Sequence, residues 1–148
     1  MKKRNQSAKI TLWVNRLVAA VVVALVFFLP AIIDWYCTFR VLTPVEQTAI
    51  TIAYYCCVVV IGFALWQIDR LLSAILAEEV FTKQNVKRIR AIQWCCGAVS
   101  LICVPASFAY MPLILMVVVM AFLCLVVGVV ASVMDAAVTI REENDLTI

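Results

Sequence analysis

The sequence predicts an all-α integral membrane protein, a four-helix bundle in which a cytoplasmic helical hairpin extends the second and third spans. Of the 148 residues, 66% are hydrophobic and 14% are charged, whereas an ordinary soluble domain has about 45–50% apolar and about 25% charged residues. Four apolar stretches approach the roughly 20 residues of helix that cross a hydrocarbon core about 30 Å thick. The basic residues lie outside these stretches. We therefore expect residues 1–148 to form a single membrane domain.

The first two spans are expected at residues 17–33 and 49–66. A basic N-terminus precedes the first span, as in a secretory signal, but the bulky residues 34–36 (DWY) follow it where small residues would mark a cleavage site. We therefore expect an uncleaved first anchor. The third and fourth spans are expected at residues 91–110 and 113–134, and none of the four contains Asp, Glu, Lys or Arg.

Small residues recur at about one-turn spacing in every span, and such stripes let helix backbones approach each other in lipid. In chain order the stripes are Ala20 and Ala24; Ala49, Ala53 and Cys57; Cys96, Ser100, Cys103 and Ser107; and Cys124, Gly128, Ser132 and Ala136. Together they favour a compact bundle. They suit a homo-oligomer as well as packing within one chain.

The Lys and Arg residues are distributed unevenly between the two sides. Five precede the first span and five lie between the second and third, whereas Arg40 alone separates the first from the second and Arg141 follows the fourth. Basic residues in short loops favour the cytoplasmic side, so we expect both termini and the central connection in the cytoplasm. The net charge of +3 then reflects topology and contact with the lipid bilayer, and no direct binding of nucleic acid is expected.

The central connection, residues 67–90, is predicted to be a cytoplasmic helical hairpin. Beyond the second span, apolar residues keep the i, i+3, i+4 spacing of one helical stripe, at Ile68, Leu71, Leu72, Ile75 and Leu76. Thr82 is predicted to be the N-cap of a helix that begins at about Lys83, with Phe81 and Val86 forming a hydrophobic staple. This second helix has an apolar edge whose first residue is Val86. We expect that edge to pack on the apolar stripe of the first helix.

Residues 135–148 are predicted to form a cytoplasmic tail, whose ending REENDLTI is charged before it becomes apolar. The tail either stays solvated or docks Leu146 and Ile148 on the hairpin or on a partner. The candidate partner-binding residues of the hairpin are Leu72, Ile75, Leu76, Phe81, Lys87, Arg88 and Arg90. A second candidate patch consists of Glu142, Glu143 and Asp145. In the alternative interpretation, the apolar residues only pack on each other and the basic ones only set topology.

Residue types that carry catalysis are sparse. The chain has no His and no CxxC motif, and its seven Cys residues lie mostly inside spans, where Cys is usually a small apolar packing residue. The adjacent pairs at 56–57 and 95–96 point to different helix faces. Asp34 and Asp135 are expected near opposite membrane surfaces, too far apart to act as an acid and a base. We therefore expect no enzyme, no cofactor and no metal site.

Two segments resemble a known family. The sequence VFTKQNVKRIRAIQW in the central connection, the four spans and the ending REENDLTI look like the bacterial integral membrane proteins of domain of unknown function 2975, which carry an FTxEN…LRxIG stretch and an acidic ending before LTI or LTV. Gln84 stands where Glu is usual, and Gln93-Trp94 replaces the Ile-Gly continuation. The resemblance implies a bacterial cytoplasmic (inner) membrane, no established enzymatic activity, and genetic proximity to a small helix-turn-helix regulator.

The sequence thus favours a regulatory or binding protein that recruits a cytoplasmic partner, for example a small helix-turn-helix regulator. The alternative is a small transporter or pore. Proton-coupled transporters usually mark their path with an ionisable residue near mid-membrane, which the predicted spans lack, but oligomeric pores do not require one.

Overall fold

Four helices make up the part of the chain that the structure describes. The computed structural model describes residues 2–39, 42–77 and 81–145, and the helices are α1 (Lys2–Phe39), α2 (Pro44–Leu76), α3 (Lys83–Ala109) and α4 (Leu113–Asp145). All four are long and apolar enough to cross a membrane. The predicted all-α, four-span class is confirmed, and the helices run well beyond the predicted apolar spans.

Helix α2 begins at a complete capping box. The backbone N–H of Glu46 donates to Thr43 Oγ1 at 3.4 Å, and the backbone N–H of Thr43 donates to Glu46 Oε2 at 2.7 Å. Pro44 occupies the first helical turn, where its missing N–H leaves no helical bond unmade. These contacts satisfy amide groups that the helix itself cannot pair.

Helix α3 begins where the sequence predicts it. Thr82 is the N-cap, and its Oγ1 accepts a hydrogen bond from the backbone N–H of Asn85 at 3.3 Å. The helix continues through Pro105 to Ala109. A tight turn over residues 110–112 then leads into α4, with the N–H of Leu113 donating to the carbonyl of Tyr110 at 3.0 Å. The predicted short third connection is therefore present.

The helices pack in chain order: within the described residues, α1 packs on α2, α2 on α3, and α3 on α4. In α1, buried and half-buried residues recur at alternating steps of three and four, at Leu12, Asn15, Ala19, Val22, Val26, Leu29, Ile33 and Tyr36. The same spacing recurs in α4, at Val117, Met120, Cys124, Val127, Ala131, Met134 and Val138. This heptad spacing keeps one face of a helix turned toward its neighbour, as in left-handed helix pairs.

The predicted small-residue stripes are partly correct. Ala53 and Cys57 of α2 are buried, as are Ser100 and Cys103 of α3. The residues of the α1 stripe and of the second half of the α4 stripe do not pack between helices of this chain, because they are exposed: Ala20, Ala24, Ser132 and Ala136. A four-residue step overshoots a full turn by about 40°, so such a stripe leaves the contact face after a few steps, whereas a heptad drifts by only about 20°.

The buried centre lies between α2 and α3. Cys57, Val99 and Cys103 form its core, and the two Sγ atoms lie 3.8 Å apart. The residues packed against this core are Val60, Ile61, Ile102, Val117 and Met120. As predicted for an adjacent pair, Cys57 is buried while Cys56 is exposed. The thiols therefore act as packing groups in this region.

Candidate functional site

Polar contacts between helices are concentrated at one end of the protein. Because packed neighbours run antiparallel, the start of α1, the end of α2, the start of α3 and the end of α4 all meet there. We call this the basic end, and the end that carries the α1–α2 connection and the turn at 110–112 the opposite end. At the opposite end the hydroxyls of Tyr36 and Tyr110 lie 2.8 Å apart.

Ion pairs join helices at the basic end. Arg16 Nε lies 3.2 Å from Asp69 Oδ1, which links α1 to α2. The α3–α4 contact has two pairs, Lys83 Nζ to Glu142 Oε2 at 2.6 Å and Arg90 Nη2 to Asp135 Oδ2 at 3.5 Å. Asp69 is 29% exposed and the other five side chains are about half exposed or more, so each pair is expected to contribute little to stability.

Helices α2, α3 and α4 extend beyond their predicted spans at this end, by roughly 12–16 Å at about 1.5 Å per residue. The extension is packed rather than solvated: Asn85, Val86, Ile89 and Val138 are buried. Burial of Val86 and Ile89 is what the predicted packing of the hairpin requires. These ends of the three helices therefore pack together beyond the predicted spans, and we call them the projection.

Asn85 is the most buried polar residue of the projection, with 1% of its surface exposed. Its Oδ1 accepts a hydrogen bond from Arg88 Nη1 at 3.0 Å, and the same nitrogen donates to the carbonyl of Arg70 on α2 at 3.2 Å. Asn85 and Arg88 therefore connect the start of α3 to the end of α2. No feature of the sequence around Asn85 signals this burial.

The apolar candidates for partner binding occupy different environments. Leu72, Ile75 and Leu76 are half-buried, so they belong largely to the packed side of the projection. Phe81 is 46% exposed and lies immediately before Thr82, at the tip. Phe81 is therefore the apolar candidate most available to a partner.

The charged candidates are brought to the basic end but not into one cluster. Lys87 is exposed, Arg88 is half-buried in the contact described above, and Arg90 pairs with Asp135. On α4, Glu142 pairs with Lys83 and Glu143 is exposed. Asp145 ends α4, but its side chain and the predicted docking residues Leu146 and Ile148 lie outside what the structure describes.

A cleft between α2 and α3 brings together residues that are separated in the sequence. Its volume is about 400 Å³, and it is lined by Trp66, Gln67, Arg70, Gln84, Lys87 and Arg88. The Arg70 guanidinium carbon lies 5.6 Å from the centroid of the Trp66 ring. A charge count along the sequence could have identified three cations here, but not their shared cleft.

Within the described part of the chain, no three His, Cys, Asp or Glu side chains are grouped so that they could hold a metal ion. Asp34 lies toward the opposite end of α1 and Asp135 at the basic end of α4. The close polar pairs of the basic end join helices, as described above.

Comparison with known proteins identifies the family but not an activity. No curated protein and no solved structure matches the chain. A family description, "Protein of unknown function (DUF2975)", matches residues 4–148, which is nearly the whole sequence and includes both segments that carry the resemblance. The chain belongs to this DUF2975 family of proteins of unknown function.

Proposed function

We propose that this multi-pass membrane protein is a non-catalytic docking protein of the bacterial cytoplasmic membrane, which holds a soluble regulatory partner at its basic end. A small helix-turn-helix regulator is the proposed partner. The observation that carries the proposal is the packed projection of α2, α3 and α4, with Phe81 46% exposed at its tip. An exposed aromatic side chain is one type of anchor that protein interfaces use.

The distribution of charge supports a cytoplasmic position for the basic end. Of the twelve Lys and Arg residues, all except Arg40 belong to helix segments at that end. Basic residues next to spans resist translocation across the membrane. In this proposal both termini therefore lie in the cytoplasm, where a soluble regulator would meet the projection.

The packing of the projection supports a docking role. Buried Asn85, Val86 and Ile89 hold its helices together, so a partner would meet a preformed surface and would lose little affinity to ordering. Phe81 and the exposed carboxylates of α4, including Glu143, are the groups we propose for contact. The polar pairs at this end are engaged between helices, which supports a structural use of these side chains rather than catalysis.

The partner is tested by co-purification. The full-length protein and a small helix-turn-helix regulator, which the family resemblance leads us to expect beside its gene, are expressed at native level, extracted in mild detergent and separated by size-exclusion chromatography. We expect a stoichiometric complex, loss of that complex in Phe81→Asp, and its retention in Met111→Asp. Met111 is a matched control because it is also an exposed apolar residue, 78% exposed, in the turn at the opposite end.

Orientation is tested separately. In a variant without native cysteines, Lys87→Cys is expected to resist a membrane-impermeant maleimide applied to intact cells, whereas Met111→Cys is expected to react. Reaction of Lys87→Cys would reverse the topology and overturn the proposal. A wild-type protein that shows no complex with the regulator in the co-purification would overturn the proposed partner.

A further inference from the structure

The cleft between α2 and α3 at the basic end has the charge of an anion-binding site. Three cations, Arg70, Lys87 and Arg88, line it together with two amides and Trp66. Among the described residues, the cations in ion pairs are Arg16, Lys83 and Arg90, and no cation of the cleft has a carboxylate partner. An anion entering the cleft would therefore not have to displace a carboxylate of the described residues.

We propose that this cleft binds the phosphate headgroup of an anionic phospholipid. Arg guanidinium and Lys ammonium groups are the side chains that bind phosphate oxygens most readily. The side chains of Gln67 and Gln84 add further N–H donors at the rim. The cleft volume of about 400 Å³ gives room for a phosphate group and its glycerol substituent.

Two of the three cations are already held in position. Arg88 Nη1 donates to Asn85 Oδ1 and to the carbonyl of Arg70, which involves one nitrogen of a group that carries five N–H donors. The Arg70 guanidinium lies over the Trp66 ring, an arrangement that favours a fixed cation. Lys87 is exposed and is free to move toward the ligand. The site is thus largely formed before the lipid arrives.

The surface next to the cleft favours a lipid over a free phosphate ion. On α2, exposed apolar residues continue away from Trp66 at heptad spacing, at Phe63, Val59, Cys56 and Ile52. This stripe runs into the membrane-spanning part of α2, where acyl chains would pack against it. Trp side chains are enriched at the level of lipid headgroups. A ligand with a phosphate at the cleft and a long apolar tail along the stripe matches both features.

This inference goes beyond partner recruitment and does not depend on it. It assigns Lys87 and Arg88 to a lipid headgroup, while Phe81 remains exposed for a protein partner. Lipid bound between α2 and α3 would also hold the base of the projection at a fixed depth in the membrane.

The test compares lipids with identical acyl chains. The purified full-length protein in detergent is titrated with dioleoyl phosphatidylglycerol or dioleoyl phosphatidylcholine, and bound lipid is counted by native mass spectrometry. We expect one phosphatidylglycerol to bind in preference to phosphatidylcholine. The double substitution Arg70→Gln with Lys87→Gln is expected to weaken that binding by about 25-fold, because each cation beside a headgroup contributes roughly fivefold.

The matched control removes two positive charges outside the cleft, in Lys9→Gln with Arg141→Gln, two residues that are exposed on α1 and α4. We expect this control to keep the preference for phosphatidylglycerol. An equal loss in both double variants would show diffuse attraction and would overturn the proposal. Lys87→Gln alone, at an exposed position, tests the cleft with an expected loss of about fivefold if the double variant does not fold.

A second experiment distinguishes binding of the phospholipid from binding of a free phosphate ion. Inorganic phosphate is added in large excess over phosphatidylglycerol, and bound lipid is counted again. We expect the lipid to remain bound, because its acyl chains contribute to binding. Complete displacement by inorganic phosphate would make the cleft a site for the free anion and would overturn the assignment to a phospholipid.

Discussion

Arg16 and Asp69 join α1 to α2 at the basic end, with Arg16 Nε 3.2 Å from Asp69 Oδ1. Next to this pair, Asn15 Nδ2 donates to the carbonyl of Leu65 at 3.2 Å. Within the described residues α2 is the helix on which α1 packs, so these contacts fix the register of α1 relative to the rest of the protein. The pair is partly exposed, which limits its contribution to stability.

We predict that this ion pair couples weakly and in a salt-dependent way. A double-mutant cycle with Arg16→Gln and Asp69→Asn is expected to give a coupling free energy of about 0.2–1 kcal/mol, as for other exposed pairs. The free energy of unfolding is measured by titration with a denaturing detergent. The coupling should fall as salt is added, because screening acts on exposed charges. A coupling above about 2 kcal/mol that resists salt would mean that the pair is desolvated.

The packing of α2 on α3 predicts a specific cross-link. Cys57 and Cys103 have their Sγ atoms 3.8 Å apart, and a disulfide requires about 2.05 Å, so a movement of less than about 2 Å joins them. In a variant that retains only these two cysteines, copper phenanthroline is expected to remove both sites of maleimide–polyethylene glycol labelling. Loss of labelling should be reversed by dithiothreitol.

The control for this cross-link is a variant that retains only Cys56 and Cys103. Cys56 is exposed while its neighbour is buried, so the two positions differ in helix face and not in depth. We expect this variant to keep its labelling after oxidation. Equal cross-linking of both variants would show that the contact face of α2 is rotated or mobile.

The buried Asn85 is predicted to be the most sensitive polar residue of the projection. Asn85→Leu removes the acceptor for Arg88 Nη1 in an environment where Asn85 is 1% exposed. Loss of a buried hydrogen-bond partner costs about 1–3 kcal/mol. The midpoint of thermal unfolding is followed with a thiol-reactive fluorophore that detects exposure of the buried cysteines. Gln84→Leu, at an exposed neighbouring position, is expected to change the midpoint little.

The result for Asn85 also distinguishes a structural from a purely local role. If the residue acted only in the first turn of α3, Asn85→Asp would behave like the wild-type protein, because Asp is equally good near a helix start. Asn85→Asp keeps an acceptor for Arg88 Nη1 but buries a carboxylate, so we expect its midpoint to lie between those of the wild-type protein and Asn85→Leu. A midpoint of Asn85→Leu equal to that of the wild-type protein would contradict the burial of this side chain.

Local features of this fold are predictable from sequence, whereas its contact faces are not. The N-cap at Thr82 and the short third turn depend on a few adjacent residues, and the structure agrees with both. The seam of α1 could not be predicted from hydrophobicity, because in a membrane helix the lipid-facing side is as apolar as the packed side. Small residues are then the remaining indicator of the packed face of α1. Ala20 and Ala24 are exposed, so in this helix the indicator does not mark the face that packs on α2.

The candidate site shows the same difference between local features, which are predictable, and helix contact faces, which are not. The sequence predicts a basic, amphipathic connection at residues 67–90, and the structure brings α2 and α3 together there. It could not predict that Arg88 would reach Asn85 and Arg70, because these contacts depend on how two helices rotate relative to each other. The cleft around Trp66 is missed for the same reason.

The close approach of α3 and α4 at Gly128 leads to the last prediction. A Cβ atom added there would lie 2.5 Å from Gln93 Nε2 and 3.0 Å from Gln93 Cδ, whereas one added at Gly62 would meet nothing within 4 Å. Gly128→Val is therefore expected to lower the midpoint of thermal unfolding, and Gly62→Val, the matched control, is expected to leave it nearly unchanged. The clash involves the end of one flexible side chain, so the cost should be moderate, about 1–3 kcal/mol as for other overpacked sites. Gln93→Ala combined with Gly128→Val should recover most of the loss, because it removes the atoms that the new side chain meets. A double variant no more stable than Gly128→Val would show that the backbones themselves, and not Gln93, set the distance between α3 and α4.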